Sequence, residues 1–194
     1  MRLGTEFEKP TLRACGHSDV VRYAYMNQKQ RTLQEVRAIR TICAACKAGV
    51  QKLHADHVGR PAAHKAMWQA RLPELHGTPG QVGFASSVRT KVGAQYFGLL
   101  EAVSTSCEQP DTAVRTVLRL LFAIDNCSFW IASRELLGKP SWLAEEVEAL
   151  TRSSDSYAAP HGPASVVAFW KRRRPEMVES ARRALRDRRT ATAA

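Results

Sequence analysis

Apolar residues recur at three- and four-residue steps through most of the chain, the period of an amphipathic helix. The clearest run follows Thr78. Val82, Ala85, Val88, Val92, Tyr96, Leu99 and Val103 form one stripe. Thr78 stands before it as an N-cap, with Pro79 at the first helical position and Gln81 three residues on, a capping-box pattern. Gly83, Gly93 and Gly98 interrupt this helix, each costing up to about 1 kcal/mol. They predict a kink or the close approach of another segment. A second run, capped by Asp111, carries Val114, Val117, Leu118, Leu121, Phe122 and Ile124 on more than one face, which predicts a central helix. Ser128 to Leu137 resumes the pattern, with Gly138 as its stop. Ser141 is expected to cap a helix to Thr151. Upstream, Lys47 to His57 and Ala62 to Leu72 predict two helices broken by Gly59-Arg60-Pro61.

The period differs at the front. Asp19 to Met26 is β-branched and aromatic, as a strand is. A short second strand is expected over Gln28 to Thr32, with Asn27 at the turn. From Thr32, the spacing of Leu33, Val36 and Ile39 predicts a short helix with those residues inward and Arg37 and Arg40 outward. At the back, Arg152 to Ser165 contains Pro160 and Pro163 and reads as a linker. Val166, Val167, Phe169 and Trp170 form an apolar anchor. Pro175 then opens a last helix, with Met177, Val178, Ala181 and Leu185 on one side and Arg182, Arg183, Arg186 and Arg189 around the other. Thr190 to Ala194 is expected to fray. The chain thus reads as mainly α: a small N-terminal α+β module of the zinc-ribbon kind over residues 1–60, a helical domain over 61–152, and a linker with a basic amphipathic helix over 153–194.

The candidate chemistry lies in the first module. Zn²⁺ favours four tetrahedral ligands from Cys and His. Cys43 and Cys46 have the two-residue gap that lets one turn aim both sulfurs at one ion, and Cys15 and His17 can complete the set. Gly16 between them suits a tight turn because it lacks a Cβ. A competing set is Cys43, Cys46, His54 and His57, which leaves Cys15 unexplained. Five cysteines is an odd number, and the start of the chain has no apolar leader, so reduced thiols or a metal are expected before disulfides. Cys107 and Cys127 read as core thiols, and His54, His57 and His64 as surface or capping residues.

Cys15-Gly16-His17, an Arg-rich interval and Cys43-Ala44-Ala45-Cys46 resemble the start of a group of little-characterised zinc-ribbon proteins from bacterial plasmids and phages. Leu72-Pro73-Glu74-Leu75-His76-Gly77-Thr78 with Gln81 and Val88-Arg89 is similar to a second stretch of that group. So is Ile124-Asp125-Asn126 with Phe129-Trp130-Ile131 and Arg134-Glu135. Ala44 stands where the group frequently has proline. The resemblance implies a zinc ribbon and a mobile-element setting, and no activity.

Charge changes the functional picture. The chain holds 29 basic and 18 acidic residues, net +11. Residues 1–60 carry net +6, residues 61–170 net −1, and residues 171–194 net +6. Cations gathered at two ends around a neutral middle fit a polyanionic partner. Candidate phosphate contacts are Arg13, Arg22, Arg31, Arg37 and Arg40 at the front. At the back they are Lys171, Arg172, Arg173, Arg174, Arg182, Arg183 and Arg186. A solvated face is the plainer reading of each run. Arg89 and Lys91 lie off their helix stripe and are further candidates. Trp130 and Arg134, four apart, offer either a base-stacking platform or a core tryptophan. Glu145, Glu146 and Glu148 make their helix acidic, so it is expected to face away from nucleic acid or toward a basic partner.

No apolar run approaches the roughly 18 residues of a membrane span, so a soluble, cytoplasmic protein without a membrane role is expected. No phosphate-cradling Gly-Lys-Ser/Thr loop, Gly-x-Ser-x-Gly or His-Glu-x-x-His occurs, and a zinc site closed by four protein ligands is structural. The sequence therefore predicts a non-catalytic zinc protein that binds nucleic acid, DNA or RNA. The alternative is a protein-interaction subunit or inhibitor. Examples are a small subunit of an RNA-guided (CRISPR-type) complex or a plasmid or phage anti-defence factor.

Overall fold

The structure is a computed structural model, and it describes residues 5–106, 108, 110–152 and 162–192. The chain starts with an antiparallel hairpin of β1 (Thr5–Leu12) and β2 (Ser18–Tyr25), in register from Thr5 opposite Tyr25 to Leu12 opposite Ser18. The strand partner is thus the polar N-terminal segment. The expected strand at residues 28–32 is instead the start of helix α1 (Gln28–Arg40). Asn27 decides this: its side chain accepts the Gln30 N–H at 2.9 Å, which satisfies a donor of the first helical turn and caps a helix in place of a turn.

One hairpin face packs on α1 through Phe7, Thr11, Tyr23 and Tyr25. Phe7 stacks on Tyr23 with centroids 5.1 Å apart, and Thr11 and Tyr23 share a buried hydroxyl hydrogen bond of 2.8 Å. The α1 face that meets these rings carries Arg31 and the buried Ala38, not the expected Leu33 and Ile39. The Arg31 guanidinium lies 5.3 Å from the Phe7 centroid and 5.8 Å from that of Tyr25. A cation over aromatic faces with its stem along apolar surface takes the place of a leucine. Leu33 and Ile39 are left 60% and 52% exposed.

Helix α2 (Ala44–His57) leads from the hairpin into the body. The short α3 (Lys65–Ala70) precedes α4 (Pro79–Ala102), whose start has the expected capping box between Thr78 and Gln81. Of the expected stripe, Ala85, Val88, Val92, Tyr96, Leu99 and Val103 are buried. Gly98 marks a close approach: a Cβ there would meet the Arg60 carbonyl oxygen at 2.4 Å. Helix α5 (Asp111–Phe122) is central, with nine of its residues buried. Its N-cap is Pro110, and Asp111 lies in the first turn, where a carboxylate favours the helix dipole. Buried Arg115 donates to the carbonyls of Val103, Ser104 and Ser106, pinning the exit of α4.

Helix α6 (Cys127–Ser133) is capped by Asn126 and ends four residues before the expected Leu137. Helix α7 (Pro140–Thr151) starts on Lys139 and Pro140, not on Ser141. The expected linker falls partly outside the described residues. From Gly162 the chain forms a short 3-10 turn, Gly162–Ala164, then α8 (Val166–Arg173) and α9 (Pro175–Thr192). The anchor Val166, Val167, Phe169 and Trp170 is a helix face in the core. The three buried tryptophans each donate the indole N–H to a backbone oxygen: Trp130 to Ile124, Trp142 to Ala164 and Trp170 to Leu120. A buried indole usually finds such an acceptor, and the last two bonds tie the C-terminal helices to the body. No helix is long and apolar enough to cross a membrane among the described residues.

Candidate metal centre

The turn between β1 and β2 carries Cys15 and His17. Gly16 takes a left-handed φ of 85°, the conformation that favours glycine. The turn closes on itself through Arg13 N–H to His17 O and Gly16 N–H to Arg13 O. It is tied across to the stretch that precedes Cys43 by Ala14 N–H to Thr41 O at 2.9 Å. Cys43 is the N-cap of α2 and Cys46 lies in its first turn, so the i, i+3 spacing places both sulfurs on one side of the helix start.

Four ligand atoms converge there. Those of Cys15, His17, Cys43 and Cys46 all lie within 4.8 Å of one another. His17 Nδ1 is 3.2 Å from Cys46 Sγ and 3.7 Å from Cys43 Sγ. Metal bonds of about 2.3 Å to sulfur and 2.0–2.1 Å to nitrogen put tetrahedral ligand atoms roughly 3.5–3.8 Å apart. The cluster is therefore of the size one ion needs. The three thiols are buried and His17 is exposed. Backbone N–H groups also aim at sulfur: Cys43 N–H at Cys15 Sγ, 3.2 Å, and Cys46 N–H at Cys43 Sγ, 3.3 Å. Donors of this kind stabilise thiolate ligands.

Without an ion, the thiols share protons unequally. The hydrogen bond with the Cys46 thiol, with help from the Cys43 and His17 backbone and against the cost of burial, holds Cys15 down to about 4. Cys46 is pushed up by the same bond and by burial. A cation bound there takes its ligands as thiolates and displaces the Cys46 proton. The competing ligand set is not assembled. α2 is continuous from Ala44 to His57, and a rise of 1.5 Å per residue carries His54 roughly 12 Å beyond Cys46. His54 packs its ring toward Tyr96, centroids 6.3 Å apart, and desolvation lowers its pKa.

The twelve candidate phosphate contacts divide sharply. Arg37, Arg172, Arg174, Arg183 and Arg186 are exposed and Arg40 is partly so, and none of them makes an ion pair among the described residues. Lys171 is half-buried at the end of α8. Arg22 pairs with Glu6 across the hairpin, and Arg31 pairs with Glu35 at 3.2 Å. Arg173 lies 3.4 Å from Asp125 and over the Phe169 ring. Arg13 is largely enclosed, donating to Ile42 O at 3.3 Å beside Asp19.

Arg182 is corrected outright. It is 7% exposed and donates to Leu150 O, Ala149 O and Glu179. It caps the C-terminal carbonyls of α7 and has no surface to offer a phosphate. Its spacing of four from Val178 and three from Leu185 already puts it on the apolar stripe. Arg89 is likewise used internally, donating to Pro73 O at 2.7 Å, with its pKa lowered by burial. Trp130 is fully buried, which removes the base-stacking reading. Cys127 is a buried free thiol as expected, and Cys107 lies outside the described residues. Sequence reasoning missed Lys47 and Arg152, which line a cleft with Arg13, Arg37 and Arg40. A signal existed for Lys47, one residue beyond Cys46.

Comparison with family models, with curated proteins and with solved structures finds no match to this chain.

Proposed function

We propose that this is a non-catalytic zinc protein of a mobile element that binds nucleic acid through phosphate contacts. Three thiols and one imidazole are a soft, four-ligand donor set that zinc prefers, and a set closed by four side chains leaves no position for substrate. The ion's work is then structural: it holds the hairpin turn against the start of α2. The observation that carries the nucleic-acid reading is the set of cations at both ends that make no ion pair among the described residues: exposed Arg37 and partly exposed Arg40 in front, exposed Arg172, Arg174, Arg183 and Arg186 behind. Contacts of this type supply affinity without base readout.

The test is fluorescence anisotropy of zinc-loaded protein with single-stranded DNA, duplex DNA and RNA at two salt concentrations. Binding to one class that weakens by orders of magnitude across a few-fold rise in salt supports the reading. Salt-insensitive or absent binding overturns it.

One observation favours the alternative of an interaction subunit or inhibitor. Leu12, Val20, Met26, Leu33 and Ile39 are each more than half exposed, all within the first forty residues. On that alternative the docking surface is the hairpin module, not the helical middle. A complex whose mass exceeds the monomer's after nuclease treatment, and which Leu33→Asp disrupts, supports it.

A further inference from the structure

The ends of α1 and α7 and the start of α2 enclose a cleft of about 540 Å³. Its cations are Arg13 from the hairpin turn, Arg37 and Arg40 from the last turn of α1, Lys47 from α2 and Arg152 from the C-cap of α7. We infer that this cleft is a phosphate-binding groove for a nucleic-acid backbone, built jointly by the metal-bearing module and the helical body. The inference rests on the nucleic-acid reading above and gives it a location.

The charge count favours an anion. Five cations face two carboxylates in the lining, Glu145 and Glu148; Arg152 holds Glu148 at 2.5 Å and Arg13 lies 3.8 Å from Asp19 just outside it. Arg37, Arg40 and Lys47 make no ion pair among the described residues. Cations left unpaired inside a concave surface concentrate positive potential there more than the same charges on a convex helix. The walls are also held in place. Arg152 Nε donates to Arg40 O at 3.2 Å, joining the ends of α7 and α1. Arg13 donates to Ile42 O, fixing the hairpin turn against the residue before Cys43. Arg13 and Arg152 are thereby already positioned and lose little side-chain entropy on binding. The α2 N-terminus does not carry the argument, because the Ala44 N–H already points at the Asp19 carboxylate, 3.4 Å away.

None of the tail cations of α8 and α9 lines the cleft, so the two groups can be tested apart. Arg37→Glu with Lys47→Glu reverses two exposed side-chain charges, neither of them a metal ligand. The tail control is Arg183→Glu with Arg186→Glu. Each is titrated with a labelled oligonucleotide of the class the wild type prefers, and each is checked for metal content and melting temperature. The cleft variant should lose at least about tenfold in affinity near physiological salt. Its salt slope should fall by about two, because two fewer phosphates are neutralised. The tail variant should lose less.

Amide NMR of the wild type with inorganic pyrophosphate is the second measurement, and it needs no variant to fold. Shifts led by Thr41, Ala44, Lys47 and Arg152 support the cleft. Oligonucleotide binding unchanged in the cleft variant overturns the groove and leaves the nucleic-acid reading standing. Pyrophosphate shifts at the cleft without any oligonucleotide binding overturn the nucleic-acid reading and keep a site for free phosphates. Pyrophosphate shifts elsewhere, or none, overturn the cleft.

Discussion

The carboxylate of Glu146 accepts the backbone N–H of Val167 at 3.1 Å, across twenty-one positions of sequence. Glu146 is fully buried in α7, and Val167 lies in the first turn of α8. A helix start is where a carboxylate is best placed, yet Glu146 Oε1 has no partner among the described residues. Desolvation therefore dominates, and it pushes the carboxyl up to about 7 despite that hydrogen bond.

A folded pKa near 7 against an unfolded value of 4.5 means the native state binds the proton more tightly. The stability this contributes is fully present below about pH 4.5 and is lost as pH rises through 7. Glu146→Gln keeps an acceptor for Val167 and removes the titration. Denaturant unfolding from pH 4.5 to 8 should show the difference between wild type and variant changing by about 1–3 kcal/mol across that window. A constant difference would refute the buried-acid account.

Arg182→Ala and Arg183→Ala, adjacent in sequence, should separate cleanly. Arg182→Ala strips donors from the carbonyls of Ala149 and Leu150 and should cost about 1–3 kcal/mol in thermal unfolding. Arg183 is exposed, so Arg183→Ala should stay within about 0.5 kcal/mol and instead lower the salt slope of oligonucleotide binding by about one.

Two glycines of α4 predict opposite signs. Gly98→Ala drives a Cβ to 2.4 Å from the Arg60 carbonyl; backbone must move, and a loss of about 1–3 kcal/mol is expected. Gly83 is exposed with nothing within 4 Å of an added Cβ, so Gly83→Ala should gain about 0.5–1 kcal/mol from helix propensity. Calorimetry of both variants checks the pair.

Cys43→Ala removes a ligand that also caps α2. It should release zinc to a chromophoric chelator and melt the hairpin module, since structural zinc supplies folding free energy. His17→Ala leaves the three buried thiols and should weaken zinc by at least about tenfold while retaining some binding. Retention of wild-type metal affinity by both variants would refute the four-ligand centre.

What the sequence revealed follows from how local each signal is. The α4 start was legible because Thr78, Pro79 and Gln81 settle a capping box among themselves. The knuckles were legible because thiol spacing fixes where sulfurs can point. β1 was not legible, since Lys9 stands at the same parity as Phe7 and Thr11 and breaks the apolar alternation, with Pro10 beside it. The orientation of α1 was not legible either: nothing local tells Arg31 that two aromatic rings await it. Lys47 and Arg152, 105 positions apart in the chain, come to line one cleft only through folding, so the cleft itself had no sequence signal even though Lys47 stands beside Cys46.

Helix α2 is gripped at both ends. Its first turn carries Cys43 and Cys46, and just past its last turn the Gly59 N–H bonds to Gln95 O of α4 at 2.8 Å. Val50 between them is fully buried in the common core. An ion at the first end is thereby thermodynamically linked to packing at the other. By mass action, each factor of ten in free ion above the dissociation constant adds about 1.4 kcal/mol to the folded state. Core side chains that never approach the metal, such as Trp142 and Leu118, would then melt at a temperature set by the ion's free concentration.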